Sequence, residues 1–362
     1  MVDARAYKIP TPEPEADGTL EWDATTMIIV RVGTDTGDVE GLGWTYADAS
    51  CVPLIMGRLA GAIKDRPLLD VPAAWSAMQH EIRNLGRPGL VSCALSAVDI
   101  ALTDAAARRL GLSIARLLGQ CRDRVLLYGS GGFTSQSESQ LVDQLTDWTV
   151  RQRIPRVKIK IGESAGSRLD RDLDRIRLAR QTIGADAELY VDANGGYSIG
   201  QAKRVGSRLP DFGVDWFEEP VSSDDLDGLA LLRNVCTVDI AAGEYGYDLP
   251  YFARMLPCVD CLQVDLTRCG GYTEWRRVSA VAAAANRQIS GHCAPSLTVQ
   301  AAAATPNFRH LEWFLDHDRI ESELFDGGYD PSDGVVAPHP GPGHGLTLRT
   351  DAAAGYAITA DQ

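Results

Sequence analysis

No uninterrupted apolar run of membrane-spanning length occurs in this 362-residue sequence, and its amino-terminal stretch lacks the charged, apolar and small-residue pattern of a secretory signal. A cytoplasmic chain that stays off the membrane is the expectation. Zinc-ligand spacing is missing as well. Of eight cysteines only Cys258 and Cys261, in PCVDC, lie close together, and no second pair answers them. Scattered in this way, the thiols are expected to be reduced and mostly buried. Positive charge is scarce, with 35 Lys and Arg against 49 Asp and Glu. The net charge of -14 opposes binding to nucleic acid or to an anionic membrane. A small anion remains compatible with that balance, because two lysines and a bound divalent cation can gather positive charge locally.

What is present is an ordinary globular composition, 45% hydrophobic and 23% charged, over a length that accommodates two domains. Residues 1–123 form a first block, strand-rich and then helical. Thr25–Val32 (TTMIIVRV) and Val39–Tyr46 (VEGLGWTY) read as a hairpin joined by the turn Gly33–Asp38. Leu90–Leu110 has apolar residues at helical spacing, and Gly111 follows where a helix stop is expected. Asn84–Gly89 (NLGRPG) is a loop between them, and the acidic run Glu13, Glu15, Asp17 reads as a solvated face.

Over residues 124–323 short apolar strands alternate with amphipathic helical stretches such as Asp170–Gln181 and Glu274–Ala285, as in a βα barrel. Eight strand candidates appear in order: VLLYGS, RVKIKI, AELYVDA, VDWFEE, VDIAAGE, CLQVD, RQISGH and RHLEWF. The tail, 324–362, is rich in Gly, Pro and Asp and ends in a strand-like LTLRT, and it is expected to return to the first domain.

Chemistry enters at the carboxyl ends of these strands, which converge on one mouth of such a barrel. In RVKIKIG the period of two sends Lys158 and Lys160 to one face, where each ammonium disfavours the other and the more buried one is expected to have a lowered pKa. The next ends carry Asp192, Glu218, Glu244, Asp265, His292 and Glu312. One Asp after a strand is ordinarily a helix cap, but seven consecutive ionisable strand ends are hard to obtain by chance. Asp192, Glu218 and Glu244, on adjacent strands with no Cys or His among them, would repel one another unless a hard cation sat between them. Oxygen-only ligation suits Mg²⁺ first and Mn²⁺ second. Glu219 is left structural, turned away by the alternation and by Pro220. Asp265 and His292 come from neighbouring strands, so the carboxylate can hold the imidazole tautomer. Lys160 and His292 then face each other as acid/base groups, suited to removing a proton alpha to a carboxylate. Lys158 would stabilise the charge, and a protonated Glu312 would donate a hydrogen bond to it.

Lys158-x-Lys160, Asp192 with Asn194, Glu218 in EEP, Glu244 after Gly243, Asp265, His292 and Glu312 together resemble the mandelate racemase subgroup of the enolase superfamily, in order and in approximate spacing, over nearly the whole chain. The resemblance implies an α/β fold, a modified (β/α)₇β TIM barrel with an α+β capping domain built from the amino-terminal segment and the tail. The muconate-lactonising subgroup has a lysine where this chain has Asp265, so the racemase-like subgroup is favoured. Membership implies one Mg²⁺ per site, a small anionic carboxylate substrate and a homo-oligomer, dimer or octamer. It also implies a shared half-reaction, abstraction of the alpha proton through an enediolate. Most members with this pattern are acid-sugar dehydratases, in which His292 would protonate the departing 3-hydroxyl to give a 2-keto-3-deoxy acid. Bases on two faces also leave racemisation, epimerisation or cycloisomerisation open.

Substrate choice in such enzymes lies in capping loops, here Asp17–Asp23, the neighbourhood of Tyr46, and Asn84–Gly89. Trp22, Tyr46 and Arg87 are the candidate lid residues, alternatively a packing Trp and a domain-bridging Arg, and Asn194 is a candidate at the barrel end. Nothing in the capping segment resembles an apolar loop for an aromatic substrate. A non-catalytic binding relative would be expected to have lost a ligand, a lysine or the His-Asp pair, and none is lost.

Overall fold

The structure is a computed structural model that describes residues 1–34 and 37–358. Three antiparallel strands, β1 (Val2–Ala16), β2 (Glu21–Gly33) and β3 (Glu40–Tyr46), open the chain in that spatial order. The expected hairpin pairs β2 with β3 from Met27 opposite Tyr46 to Gly33 opposite Glu40. Residues 35 and 36 of its turn lie outside the described residues. Strand β1 was not anticipated, since Pro10, Pro12 and Pro14 argue against a strand. They sit on a sheet edge, where a missing N–H breaks no essential ladder bond, and the register shifts between Pro10 and Glu15. One part of the acidic run is corrected: Glu15 is buried and accepts a hydrogen bond from the Trp22 indole at 3.1 Å.

The helix Leu90–Leu110 lies across this sheet and ends on Gly111 in the left-handed conformation. A Cβ on Gly41 would stand 2.1 Å from Ala101 O, and one on Gly43 2.4 Å from Ala97 O, so glycines on β3 and alanines on the helix permit the close approach. By length and composition this helix could cross a membrane, but 89% of its apolar window is buried inside the protein, as in a core helix. Six of the eight cysteines are buried and all are free.

Eight parallel strands follow: β4 (Val125–Gly131), β5 (Arg156–Lys160), β6 (Glu188–Asp192), β7 (Val214–Glu218), β8 (Asp239–Ala242), β9 (Cys261–Asp265), β10 (Gln288–His292) and β11 (Phe308–Phe314). They are neighbours in sequence order, and β11 pairs with β4 to close the barrel. Register decides which side chains meet: Lys160 is opposite Asp192, Asp192 opposite Glu218, and Asp265 opposite His292. Inside the barrel, beneath those ends, an aromatic layer packs Tyr128, Tyr190 and Trp216 around His310, with Tyr128 edge-on to Tyr190 at 5.4 Å. In the tail, Phe325–Asp326 pairs with Thr347–Leu348, His344 sits within hydrogen-bonding distance of Leu42 O, and Ile358 N–H reaches Ala6 O.

Candidate active site

Both lysines of β5 are buried; Lys160 lines the barrel mouth, and Lys158 lies beneath it, 5.4 Å from the Tyr128 ring centre. Lys158 Nζ forms an ion pair with Glu218 and lies 2.8 Å from Glu312 Oε1 and 3.5 Å from Asp192 Oδ2. Lys160 Nζ is 2.5 Å from Asp192 Oδ2. The expected lowering of a lysine pKa is therefore reversed. Burial works against the ammonium, but Glu218 and Glu312 outweigh it at Lys158, and Asp192 outweighs it at Lys160, so both are held above the ordinary lysine value. Like-charge repulsion between the lysines loses to the carboxylate each one faces.

Asp192, Glu218 and Glu244 present oxygens within 4.8 Å of one another, all buried. Each is held from behind. Asp192 Oδ1 accepts the Asn194 N–H at 2.9 Å. Glu218 Oε2 accepts from the Trp216 indole at 2.8 Å and from Gln263 at 3.1 Å. Glu244 Oε1 accepts from Arg268 at 3.2 Å. Glu244 is delivered by Gly243 at φ +139°, where a Cβ would stand 2.2 Å from Gln263 O. Asn194 Oδ1 is a buried oxygen without a hydrogen bond among the described residues, and Glu244 Oε2 has His292 Nε2 as its neighbour at 3.2 Å. Three buried, converging carboxylates with no nitrogen or sulfur ligand among them fit a hard, oxygen-seeking divalent cation. Glu219 is buried beside the trio, its Oε1 unpartnered, and burial together with Glu244 raises its pKa well above the usual carboxylate range.

His292 Nδ1 lies 2.7 Å from Asp265 Oδ2, while Asp265 Oδ1 accepts from the Thr267 N–H and hydroxyl, each at 2.7 Å. The opposite nitrogen, Nε2, is 3.2 Å from Glu244 and 3.6 Å from Glu312. Burial disfavours the charged ring, yet the Cys293 sulfur and then Glu244, Glu312 and Asp265 hold the His292 pKa above its ordinary value. Glu312 requires a correction. Burial favours its neutral form, but Lys158 and His292 dominate and keep it below the carboxylate range, so it is ionised and accepts from Ser130 Oγ at 2.6 Å and the Cys293 N–H at 3.1 Å. It is an acceptor in this arrangement, so the protonated form on which a donor role depended is not the one these partners favour.

The mouth is a cavity of about 490 Å³ whose lining includes Lys160, Asn194, Glu244, His292 and Glu312 on the barrel side and Trp22 and Tyr46 on the capping side. Tyr46 donates to Glu321 at 3.0 Å and stacks on His317 with ring centroids 3.5 Å apart. Arg87 is not brought there. Its guanidinium lies 5.2 Å from the Trp75 ring centre and donates to Gln79, Cys269 O and Glu274, clamping the capping segment to the barrel. Sequence reasoning missed Arg268, Cys293, Asp316 and His317, which also line the mouth. All four stand just after strand ends already assigned to another residue, Arg268 after Asp265, Cys293 after His292, and Asp316 and His317 after the strand of Glu312.

A capped barrel with carboxylates, lysines and a His-Asp pair at successive strand ends defines an acid-base enzyme scaffold of the enolase type. Family models agree: residues 6–119 match the mandelate racemase / muconate lactonizing enzyme N-terminal domain, and 140–352 match the enolase C-terminal domain-like family. The chain belongs to the mandelate racemase/muconate lactonizing enzyme family of the enolase superfamily. It is 30% identical to D-galactarolactone cycloisomerase of Agrobacterium fabrum, over 96% of this chain and 94% of that one. A mandelate racemase/muconate lactonizing enzyme-like protein from Rubrobacter xylanophilus superposes with a TM-score of 0.95 at 45% identity, covering 99% of each chain. L-talarate/galactarate dehydratase from Salmonella typhimurium, solved with Mg and L-lyxarohydroxamate, superposes at 0.89 with 25% identity, covering 99% of this chain and 92% of that one.

Proposed function

We propose that this protein is a Mg²⁺-dependent enzyme that removes the alpha proton of a small carboxylate substrate and completes the reaction as an acid-sugar dehydratase, releasing a 2-keto-3-deoxy acid. The observation that carries this reading is the carboxylate trio set between Lys160 on one side and His292, paired with Asp265, on the other. Asp192, Glu218 and Glu244 are the residues that would hold the ion. Bound there, Mg²⁺ would supply positive charge for the substrate carboxylate and for the enediolate that forms from it. Lys158 adds a fixed charge on the same oxygens. Lys160 acts as the base in its neutral form, and an ion held by Asp192 would weaken that carboxylate's hold on the lysine proton. The alpha proton passes to Lys160 Nζ, and His292 in its charged form gives its Nε2 proton to the departing 3-hydroxyl, which leaves as water. Tautomerisation of the enol then yields the keto acid. Asp265 keeps Nδ1 protonated throughout.

A second reading keeps the half-reaction and changes the ending. With groups on both faces, His292 can reprotonate the alpha carbon, giving racemisation or epimerisation; cycloisomerisation, the reaction named for a similar enzyme, would in addition require a ring bond to be broken or formed from the same enediolate. Proton NMR in D₂O with Mg²⁺ and a panel of sugar acids and simple alpha-hydroxy acids separates the two. A 2-keto-3-deoxy product establishes dehydration. Loss of the alpha-proton signal without elimination establishes the second reading, and silence over a broad panel rejects both.

A further inference from the structure

The far end of the mouth has a chemistry of its own. The carboxylate trio and the lysines occupy the barrel floor, and the capping side is built from the turn between β1 and β2, β2 itself and the residues after β3, with the segment after β11 packed between them and the barrel end at Ala294. Among the described residues lining that end, the charged side chains are Asp17, Glu21, Asp48 and Asp316, all acidic. Asp316 is engaged by Arg319 at 2.5 Å and by Thr25, while Asp17, Glu21 and Asp48 meet no cation among the described residues. The cationic side chains of the mouth stand at the floor instead, Lys160 on Asp192, Arg268 shared between Glu244 and Asp265, and His292 on Asp265. Behind Trp22, Glu15 registers the same field: burial and then Asp316 push its carboxyl up to about 8.

His317 is the neutral donor at this end. Its Nδ1 accepts the Ala294 N–H at 3.2 Å, which places the proton of the uncharged ring on Nε2. Burial pulls its pKa down to about 4, so the ring is uncharged at neutral pH. The Nδ1 contact is its only hydrogen bond within the described protein, and the ring is held flat against Tyr46. A rigid, uncharged N–H suits a hydroxyl, whereas a carboxylate would require a guanidinium or an ammonium to offset its desolvation.

We propose that the lid end of the mouth selects a monocarboxylate whose far end is an uncharged polyhydroxyl chain, with His317 Nε2–H donating to one of its hydroxyls, and turns away a second carboxylate. This rests on the alpha-proton chemistry proposed above and adds the class of acid on which it acts. The test measures alpha-proton exchange and product formation in D₂O with Mg²⁺ on pairs of six-carbon acids differing only at C6, aldonate against aldarate. A three-carbon hydroxy acid too short to reach the lid is run alongside. The expected result is a kcat/KM at least tenfold higher for the aldonates. His317→Ala is expected to lower the ratio of six-carbon to three-carbon kcat/KM about tenfold, His317→Gln to restore most of it, and Glu21→Lys to raise aldarate kcat/KM at least fivefold. Aldarates reacting as well as aldonates would overturn the selectivity while leaving the reaction intact. A ratio unmoved by His317→Ala would overturn the role of that residue. Exchange on none of the acids would reject the underlying reaction, and this proposal with it.

Discussion

Asp265→Asn isolates what the His-Asp pair contributes. Thr267 donates to Asp265 Oδ1 from both its N–H and its hydroxyl. An asparagine here must therefore turn its carbonyl oxygen toward Thr267, which leaves the amide NH₂ facing His292 Nδ1. Donor then meets donor whenever the ring is charged, and the neutral tautomer with its proton on Nε2 is locked in. The lost attraction is sizeable. With charge centres about 4 Å apart and an effective dielectric of about 20, the imidazolium-carboxylate term is ~4 kcal/mol, or roughly three decades in rate at 1.36 kcal/mol per decade. Product formation by this variant is expected to fall about a thousandfold, whereas alpha-proton exchange, begun by Lys160 across the mouth, falls less than tenfold. Single-turnover NMR in D₂O follows the two signals together. Product formation within threefold of the unmodified enzyme would refute the argument, and a parallel fall of exchange and product would show that His292 takes the first proton.

Lys158→Met leaves Glu218 and Glu312 facing each other without their shared ammonium, so metal-free protein should lose about 3–5 kcal/mol and recover part of it with Mg²⁺; thermal melts with EDTA and with Mg²⁺ check this, and equal melting temperatures in EDTA would sink it. Arg87→Met should cost about 2–3 kcal/mol, less than breaking a lone buried pair because Arg277 still faces Glu274, with KM unchanged. A tenfold rise in KM at unaltered stability would instead return Arg87 to the substrate. Burial raises the Asp99 carboxyl to about 7, against donors from Thr273. The native state keeps that proton while the unfolded chain loses it, so stability contributed by the neutral form declines as pH climbs from about 4 to 7. Denaturant titrations should show this slope and its disappearance in Asp99→Asn; a slope equal in both would assign it to other groups.

The barrel and the juxtaposition of its strand-end groups were legible because two simple periods govern them. Alternation along RVKIKIG sends Lys158 and Lys160 to the same side, and parallel neighbours in register set Lys160, Asp192 and Glu218 shoulder to shoulder. The same logic joins Asp265 to His292. Strand β1 was hidden by its prolines, whose tolerance depends on being at a sheet edge, a property of the assembled sheet. The protonation of the lysines and of Glu312 was misread because adjacency in sequence shows like charges, whereas the buried partners that outweigh them arrive from β6, β7 and β10. Arg87 carries no local mark that separates a lid residue from a clamp; only the position of Glu274 decides. Sequence alone thus determined which chemical groups stand at the mouth, since strand period and chain order suffice for that. Tertiary structure alone decided their charge states and the acidic lid with its neutral His317, because both depend on burial and on partners far away in the chain.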